Sequence, residues 1–255
     1  MKVLLLGGTG EARRLADLLA AEPDLEVVSS LAGRTDDAVL PAGAVRQGGF
    51  GGVEGLVAWL TAHEVDAVVD ATHPFAATMT AHAAAACGEL GTPLLVLRRA
   101  GWSPSAGDRW HRVPSAAEAA RLLPSLGTRA FLTIGRQGLD AFAPSARASA
   151  PSAPAGDGVW MLARCVDPPS PVPAWCELLL DRGPYTVDGE LELLRKWQID
   201  VLVTKDSGGD MTSAKLTAAR ELGVPVVIIE RPPLPVGVTV VSQVDQVAQW
   251  LRQHR

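Results

Sequence analysis

The chain is expected to fold as two doubly wound α/β units with mostly parallel sheets, and three observations point that way. Short apolar runs alternate with helical patterns almost to the C-terminus. The runs are continuous rather than alternating, as in strands covered by helices on both faces. Two segments also echo each other: Gly91–Leu97 and Gly223–Ile229 each follow a long helix with glycine and enter a strand through proline. At 255 residues the chain exceeds the usual single-domain size and fits two units of about 125 residues. The break is expected near Pro124–Thr128, giving domains 1–127 and 128–255.

The first expected strand, Val3–Leu6, runs into Gly7-Gly8-Thr9-Gly10, and an amphipathic helix over Glu11–Ala21 follows. That order sets unpaired N–H groups and the positive end of a helix at the carboxyl edge of a buried strand, the geometry that holds a dinucleotide pyrophosphate. Arg13 stands where a full G-x-G-x-x-G fingerprint would have its last glycine. A second strand, Glu26–Ser30, lacks the closing acid that grips a ribose 2′-hydroxyl; Arg34 and Thr35 follow it instead. A guanidinium there suits a 2′-phosphate, so NADP(H) is expected over NAD(H).

Gln47–Gly52 is a second glycine-rich loop: either Gly49 lets the backbone approach a flat ligand and Phe50 covers it, or the loop is only a flexible connection. A helix is expected over Val53–Ala62, then a strand over Ala67–Asp70 delivering Asp70-Ala71-Thr72-His73-Pro74-Phe75-Ala76. Pro74 suits a first helical turn, so Thr72 or His73 would cap a helix over Phe75–Leu90 and face the edge where a nicotinamide lies. His82, on the alanine-rich part of that helix, is read as structural. A strand at Leu94–Leu97 and a helix at Ala116–Leu123 complete the first half.

In the second half the strand Ala130–Ile134 enters Gly135-Arg136-Gln137-Gly138, and Val201–Thr204 enters Lys205-Asp206-Ser207-Gly208-Gly209. Both place a cation beside free backbone N–H groups at a strand's carboxyl end, an arrangement fit for carboxylate or phosphate. Arg98, Arg99, Arg164 and Arg182 lie near other strand ends and extend this to an anion-binding cleft between the domains. The remaining elements are strands at Met161–Arg164, Glu177–Leu180 and Val226–Glu230 and helices at Glu190–Trp197, Ser213–Leu222 and Val244–Gln253. Pro144–Asp157 is a low-complexity Ala/Pro/Ser loop within this half.

A net charge of −5 argues against nucleic acid as the partner, so an anionic ligand needs a local cluster of cations. No apolar run reaches the roughly 18 residues of a membrane span, and no signal-peptide layout opens the chain. Cys87, Cys165 and Cys176 form no C-x-x-C pair, which suggests reduced thiols in a cytoplasm. Tyr185 is the only tyrosine and residue 189 is glycine, so a Tyr-x-x-x-Lys pair is missing. G-x-S-x-G, H-E-x-x-H and P-loop motifs are absent too, and a metal site has no support. What remains is hydride transfer in which a cofactor carries the chemistry.

Five ordered motifs converge on one family: Gly7–Glu11, Ser30–Arg34, Asp70–Ala76, Gly135–Leu139 and Thr204–Gly209, with Lys215 following. The chain resembles the precorrin-6A reductases of cobalamin biosynthesis over nearly its whole length. The resemblance implies two Rossmann-like domains with the active site between them, and NADPH-dependent reduction of one ring double bond, precorrin-6A to precorrin-6B. The many carboxylates of a precorrin account for paired glycine–cation loops in an acidic protein.

On this reading Gly7, Gly8, Thr9, Gly10 and Glu11 hold the pyrophosphate and Arg34 the 2′-phosphate, while Gly49, Phe50 and Thr72 position the nicotinamide. Arg136, Gln137, Lys205, Ser207, Gly208 and Lys215 bind the substrate. The proton is expected from His73, Lys205, Asp206 or water. The expected partners are the precorrin and, transiently, neighbouring enzymes of the pathway, with no nucleic acid and no membrane. Three alternatives stand: a cobalt-containing substrate, an NADP-dependent sugar-modifying oxidoreductase or epimerase, and a non-catalytic nucleotide sensor. The missing Tyr-x-x-x-Lys pair speaks against the second, and the extra anion loops against the third.

Overall fold

The computed structural model describes residues 1–33, 40–147 and 158–254. The chain folds into two compact units, residues 1–100 with 232–255 and residues 101–231.

The first unit contains β1 (Lys2–Leu6), α1 (Gly10–Ala20), β2 (Glu26–Leu31), β3 (Ala44–Gln47), α2 (Gly52–Ala62), β4 (Ala67–Asp70), α3 (Ala77–Leu90) and β5 (Leu94–Leu97). The second contains β6 (Trp110–Val113), α4 (Ala116–Leu126), β7 (Arg129–Thr133), β8 (Trp160–Cys165), β9 (Glu177–Leu180), α5 (Val187–Lys196), β10 (Val201–Lys205), α6 (Ala214–Glu221) and β11 (Val226–Ile229). The chain then returns to the first unit with β12 (Thr239–Val241) and α7 (Val244–Gln253).

Each unit has a six-stranded sheet, ordered β12-β5-β4-β1-β2-β3 and β6-β11-β10-β7-β8-β9. Every pairing between named strands is parallel. The continuous apolar runs have the expected cause. Along β1, Val3 and Leu5 pack with Leu15, Leu19 and Leu251 of α1 and α7, while Leu4 and Leu6 pack with Leu56, Leu60 and Ala83 of α2 and α3. Strand periodicity therefore puts apolar groups on both faces at once. In the second unit Phe131, Leu162, Leu202 and Ile228 pack against Leu191, Leu194 and Leu216 of α5 and α6.

The single break expected at 127/128 does not describe this division. The sixth strand of each sheet comes from the other half of the sequence: β6 follows β5 in the chain but pairs with β11, and β12 follows β11 but pairs with β5. The segment Pro124–Thr128 lies inside the second unit, where α4 continues through Pro124 to Leu126. The other misses were β3, β6 and β12, short strands only partly buried and at or near sheet edges. Such strands carry no continuous apolar run to betray them.

The sheet order fixes where ligand loops fall. In a doubly wound sheet the crevice opens where connections diverge to opposite sides, beyond the carboxyl ends of the strands. Those switch points lie between β1 and β4 in one unit and between β7 and β10 in the other. The glycine turns singled out in the sequence follow β1, β7 and β10.

Candidate active site

At the first switch point, Thr9 caps α1, its hydroxyl accepting from the Ala12 N–H at 3.0 Å and donating to the Ala71 carbonyl at 2.9 Å. One side chain thus ties the β1 turn to the end of β4. Gly8 has φ +107, a backbone that L side chains rarely adopt, and a Cβ there would meet nothing within 4 Å among the described residues. Close helix–strand contact occurs at residue 12: a Cβ at Gly7 would lie 3.5 Å from that of Ala12, which is buried. This is why Arg13 is tolerated at the missing glycine position. Glu11, an acid in the first turn of α1, pairs with both Arg99 and Arg14. That pairing offsets the repulsion it would otherwise exert on a phosphate. The turn therefore fits a dinucleotide.

The Asp70–Ala76 loop is built differently from its sequence expectation. α3 begins at Ala77, so neither Thr72 nor His73 caps it and Pro74 lies before its first turn. Asp70 organises the loop instead. Its buried carboxylate accepts from the Thr72 N–H (3.0 Å) and hydroxyl (2.7 Å) through Oδ1, and from the Thr80 hydroxyl (2.6 Å) through Oδ2. The His73 Nδ1 accepts from the Phe75 N–H at 3.3 Å, which leaves the ring proton on Nε2. Thr9, Glu11, Ala71, Thr72, Pro74, Leu97 and Arg99 line a small concavity here.

The Gly48–Gly52 loop follows β3, two strands out from β1, whereas the Asp70–Ala76 loop follows β4 on the other side of β1. The two loops therefore lie on opposite sides of the β1 turn. Gly49 and Phe50, expected beside the nicotinamide with Thr72, are thus not brought together with Thr72. Sequence reading missed Arg46 beside Phe50. Its guanidinium lies 3.8 Å from the centre of the Phe50 ring and donates to the Ser30 hydroxyl (2.8 Å) and to the Gly48 and Gly49 carbonyls. Burial lowers its pKa. The loop packs tightly on α2, where any side chain at Gly55 would collide with the Phe50 carbonyl. Arg34 lies outside the described residues.

At the second switch point the loops after β7 and β10 come together: Lys205 Nζ lies 3.5 Å from the Gln137 carbonyl, and burial lowers the lysine pKa. Arg136 lies 4.0 Å from Asp167 and its side chain is 37% exposed. The Ser207 N–H turns back onto the Lys205 carbonyl at 2.7 Å, and Gly208 and Gly209 both have positive φ.

Asp206 is placed as a brace. Oδ1 accepts from the Trp102 N–H at 3.0 Å, Oδ2 from Arg112 at 3.1 Å, and its backbone carbonyl from Arg231 Nε at 2.7 Å. Its carboxylate is thus spent on fixing residues 102, 112 and 231. Lys215 lies buried in the first turn of α6 rather than on the loop surface. Arg164 is likewise buried and paired with Glu190. Arg98 is tied to the Pro232 carbonyl within the first unit. All three cysteines are buried and free, with the Cys87 thiol pushed up to about 12 by burial. Among the described residues no helix is long and apolar enough to cross a membrane.

Known proteins place this geometry in context. The family described as Precorrin-6x reductase CbiJ/CobK matches residues 2–252. The precorrin-6A reductase of Rhodococcus erythropolis is 54% identical over 251 residues, covering 98% of this chain and 97% of that one. The cobalt-precorrin-6A reductase of Methanothermobacter thermautotrophicus is 30% identical, covering 91% and 77%. A solved structure of CobK precorrin-6A reductase superposes with a TM-score of 0.88 at 44% identity, covering 100% of this chain and 97% of that one.

Proposed function

The chain belongs to the precorrin-6x reductase family, and on that premise we propose that it reduces precorrin-6A to precorrin-6B with NADPH. The observation that carries this reading is the pairing of two kinds of switch point in one chain. The first presents a glycine turn and a capped helix N-terminus; the second presents two glycine loops joined through Lys205 and Gln137. The 54% identity to a precorrin-6A reductase, against 30% to a cobalt-precorrin-6A reductase, favours the cobalt-free ring.

When bound, the cofactor supplies hydride to the electron-poor conjugated ring, one carbon of the reduced double bond taking hydride and its neighbour a proton. The protein's task is position and charge. Gly7–Glu11 hold the pyrophosphate against the N–H groups that open α1. Ser30, in the place of the acid that binds a ribose diol, and the cation Arg46 beside it leave room for a 2′-phosphate, with Arg34 in the adjoining segment. Thr72 and His73 flank the nicotinamide end. Arg136, Lys205 and the Gly208–Gly209 N–H groups take the ring carboxylates.

Among the expected proton donors Asp206 drops in rank, because its oxygens already accept from Trp102 and Arg112. With His73 Nδ1 accepting from Phe75, loss of the Nε2 proton would leave an imidazolate, whereas burial makes Lys205 a stronger acid than an exposed lysine. The test is precorrin-dependent oxidation of NADPH and NADH by the purified protein. NADPH is expected to bind at least about tenfold more tightly, as loss of a charge-assisted phosphate contact implies. Equal binding of both cofactors would remove the 2′-phosphate assignment, and no turnover with precorrin-6A would remove the function.

A further inference from the structure

Lys215 is a costly residue to place where it stands. Its side chain is buried in the first turn of α6, a cation at the positive end of a helix. Its ammonium donates to the Thr212 carbonyl at 2.7 Å and lies 5.2 Å from the centre of the Trp102 ring. Trp102 in turn donates its indole N–H to the Gly209 carbonyl at 3.0 Å. The two ends of the Gly209–Thr212 turn are thus tied to one stacked pair of side chains.

We propose that Lys215 is a positioning residue: with Trp102 it clasps the turn that presents the Gly208–Gly209 N–H groups, and its charge state sets affinity for a polycarboxylate bound there. The inference rests on the reading that the loop after β10 receives the substrate's carboxylates.

The surroundings of Lys215 make its charge conditional. Arg164 of β8 and Glu190 of α5 face it, with Tyr185 stacked on Arg164 at 3.7 Å, Asp181 4.0 Å from Arg164, and Asp210 opening the turn. Glu190 Oε1 accepts from Arg164 at 2.7 Å, and its buried Oε2 has no hydrogen-bond partner among the described residues. One carboxylate thus serves two cations. Burial, then Arg164, lowers the Lys215 pKa to about 7, and Glu190 opposes the fall. Below that pH the ammonium holds Thr212 through a charge-assisted bond and stacks on Trp102. Above it a neutral amine holds the turn weakly. A polyanion arriving at the loop favours the charged form, so binding and proton uptake reinforce each other.

The test uses the intact enzyme with saturating NADPH, measuring KM and kcat for precorrin-6A from about pH 6 to about pH 9. The substrate's carboxylates, with ordinary values near about 4, stay ionised throughout. The wild-type KM should rise about tenfold with pH, the change that a one-unit pKa displacement on binding produces, while kcat holds level. Lys215→Met should give a KM that is high at every pH; Lys215→Arg, always charged, should flatten the profile. Trp102→Phe keeps the ring but loses the Gly209 bond, and should raise KM without removing its pH dependence. A Lys215→Met or Lys215→Arg enzyme with the wild-type KM profile overturns the proposal. Lys205→Ala separates the two readings. If it leaves the precorrin KM unchanged, the loop is not the substrate site. If it raises KM while the Lys215 variants behave as wild type, only the role of Lys215 falls.

Discussion

The two units share a strand order and a switch-point position, yet their carboxyl edges are furnished in different ways. At the first, the buried acid is satisfied by hydroxyls and backbone, Asp70 by Thr72 and Thr80, with Thr9 tied to Ala71, while Arg99 and Arg14 pair with the less buried Glu11. At the second, the buried acids are matched to guanidinium groups, Asp206 to Arg112 and Glu190 to Arg164, and Lys205 joins the two loops. A doubly wound sheet decides only where a ligand loop will stand. The charge around that loop decides which ligand it suits.

The sharpest way to break this contrast is to remove each edge's central acid. Asp206→Ala leaves Arg112 and the Trp102 N–H without their acceptor and should destabilise the protein by about 3 kcal/mol, as for a buried pair losing one partner. Asp206→Asn keeps an acceptor and should cost less. Asp70→Ala should cost about 2 kcal/mol, because hydroxyl and N–H donors are cheaper to strand than a guanidinium. Denaturant unfolding checks both, and equal losses would erase the distinction between the edges.

Next in size is Gly8→Ala, which forces a side chain into positive φ at a cost of about 1 kcal/mol. It should weaken NADPH binding, read by cofactor fluorescence, without changing the precorrin KM. The last prediction concerns pH. Lys215 is lowered to about 7 in the fold, against about 10.4 when unfolded. The unfolded chain therefore binds more protons between those values, and this group's contribution to stability rises as pH rises through that window. Lys215→Met should accordingly gain more stability over wild type at about pH 6.5 than at about pH 9. A gain independent of pH would show that Lys215 is not held near neutrality.

Much of this was legible in the residues because the signals were local. Apolar runs marked nine strands, seven helices matched within a few residues at either end, and glycine turns after strands marked the switch points. What escaped was whatever depends on pairing across long separations. Trp110–Val113 and Thr239–Val241 carry no apolar run, and nothing local tells a strand to join the other half's sheet. Arg46 was overlooked because its neighbours Ser30 and Phe50 meet it only once β2 and β3 align. Lys215, expected among the substrate-binding residues, gave no local sign of its burial for the same reason: its partners Trp102, Arg164 and Glu190 are brought from three other segments. The gap at Arg13 was a true local signal, explained by Ala12 taking the close contact.

The division of labour between the units is tested most directly by measuring NADPH dissociation and precorrin-6A KM on the same Lys205→Ala protein. NADPH binding should stay at the wild-type value while the precorrin KM rises about tenfold, the loss of one charge-assisted carboxylate contact. Weakened NADPH binding with an unchanged precorrin KM would contradict the account.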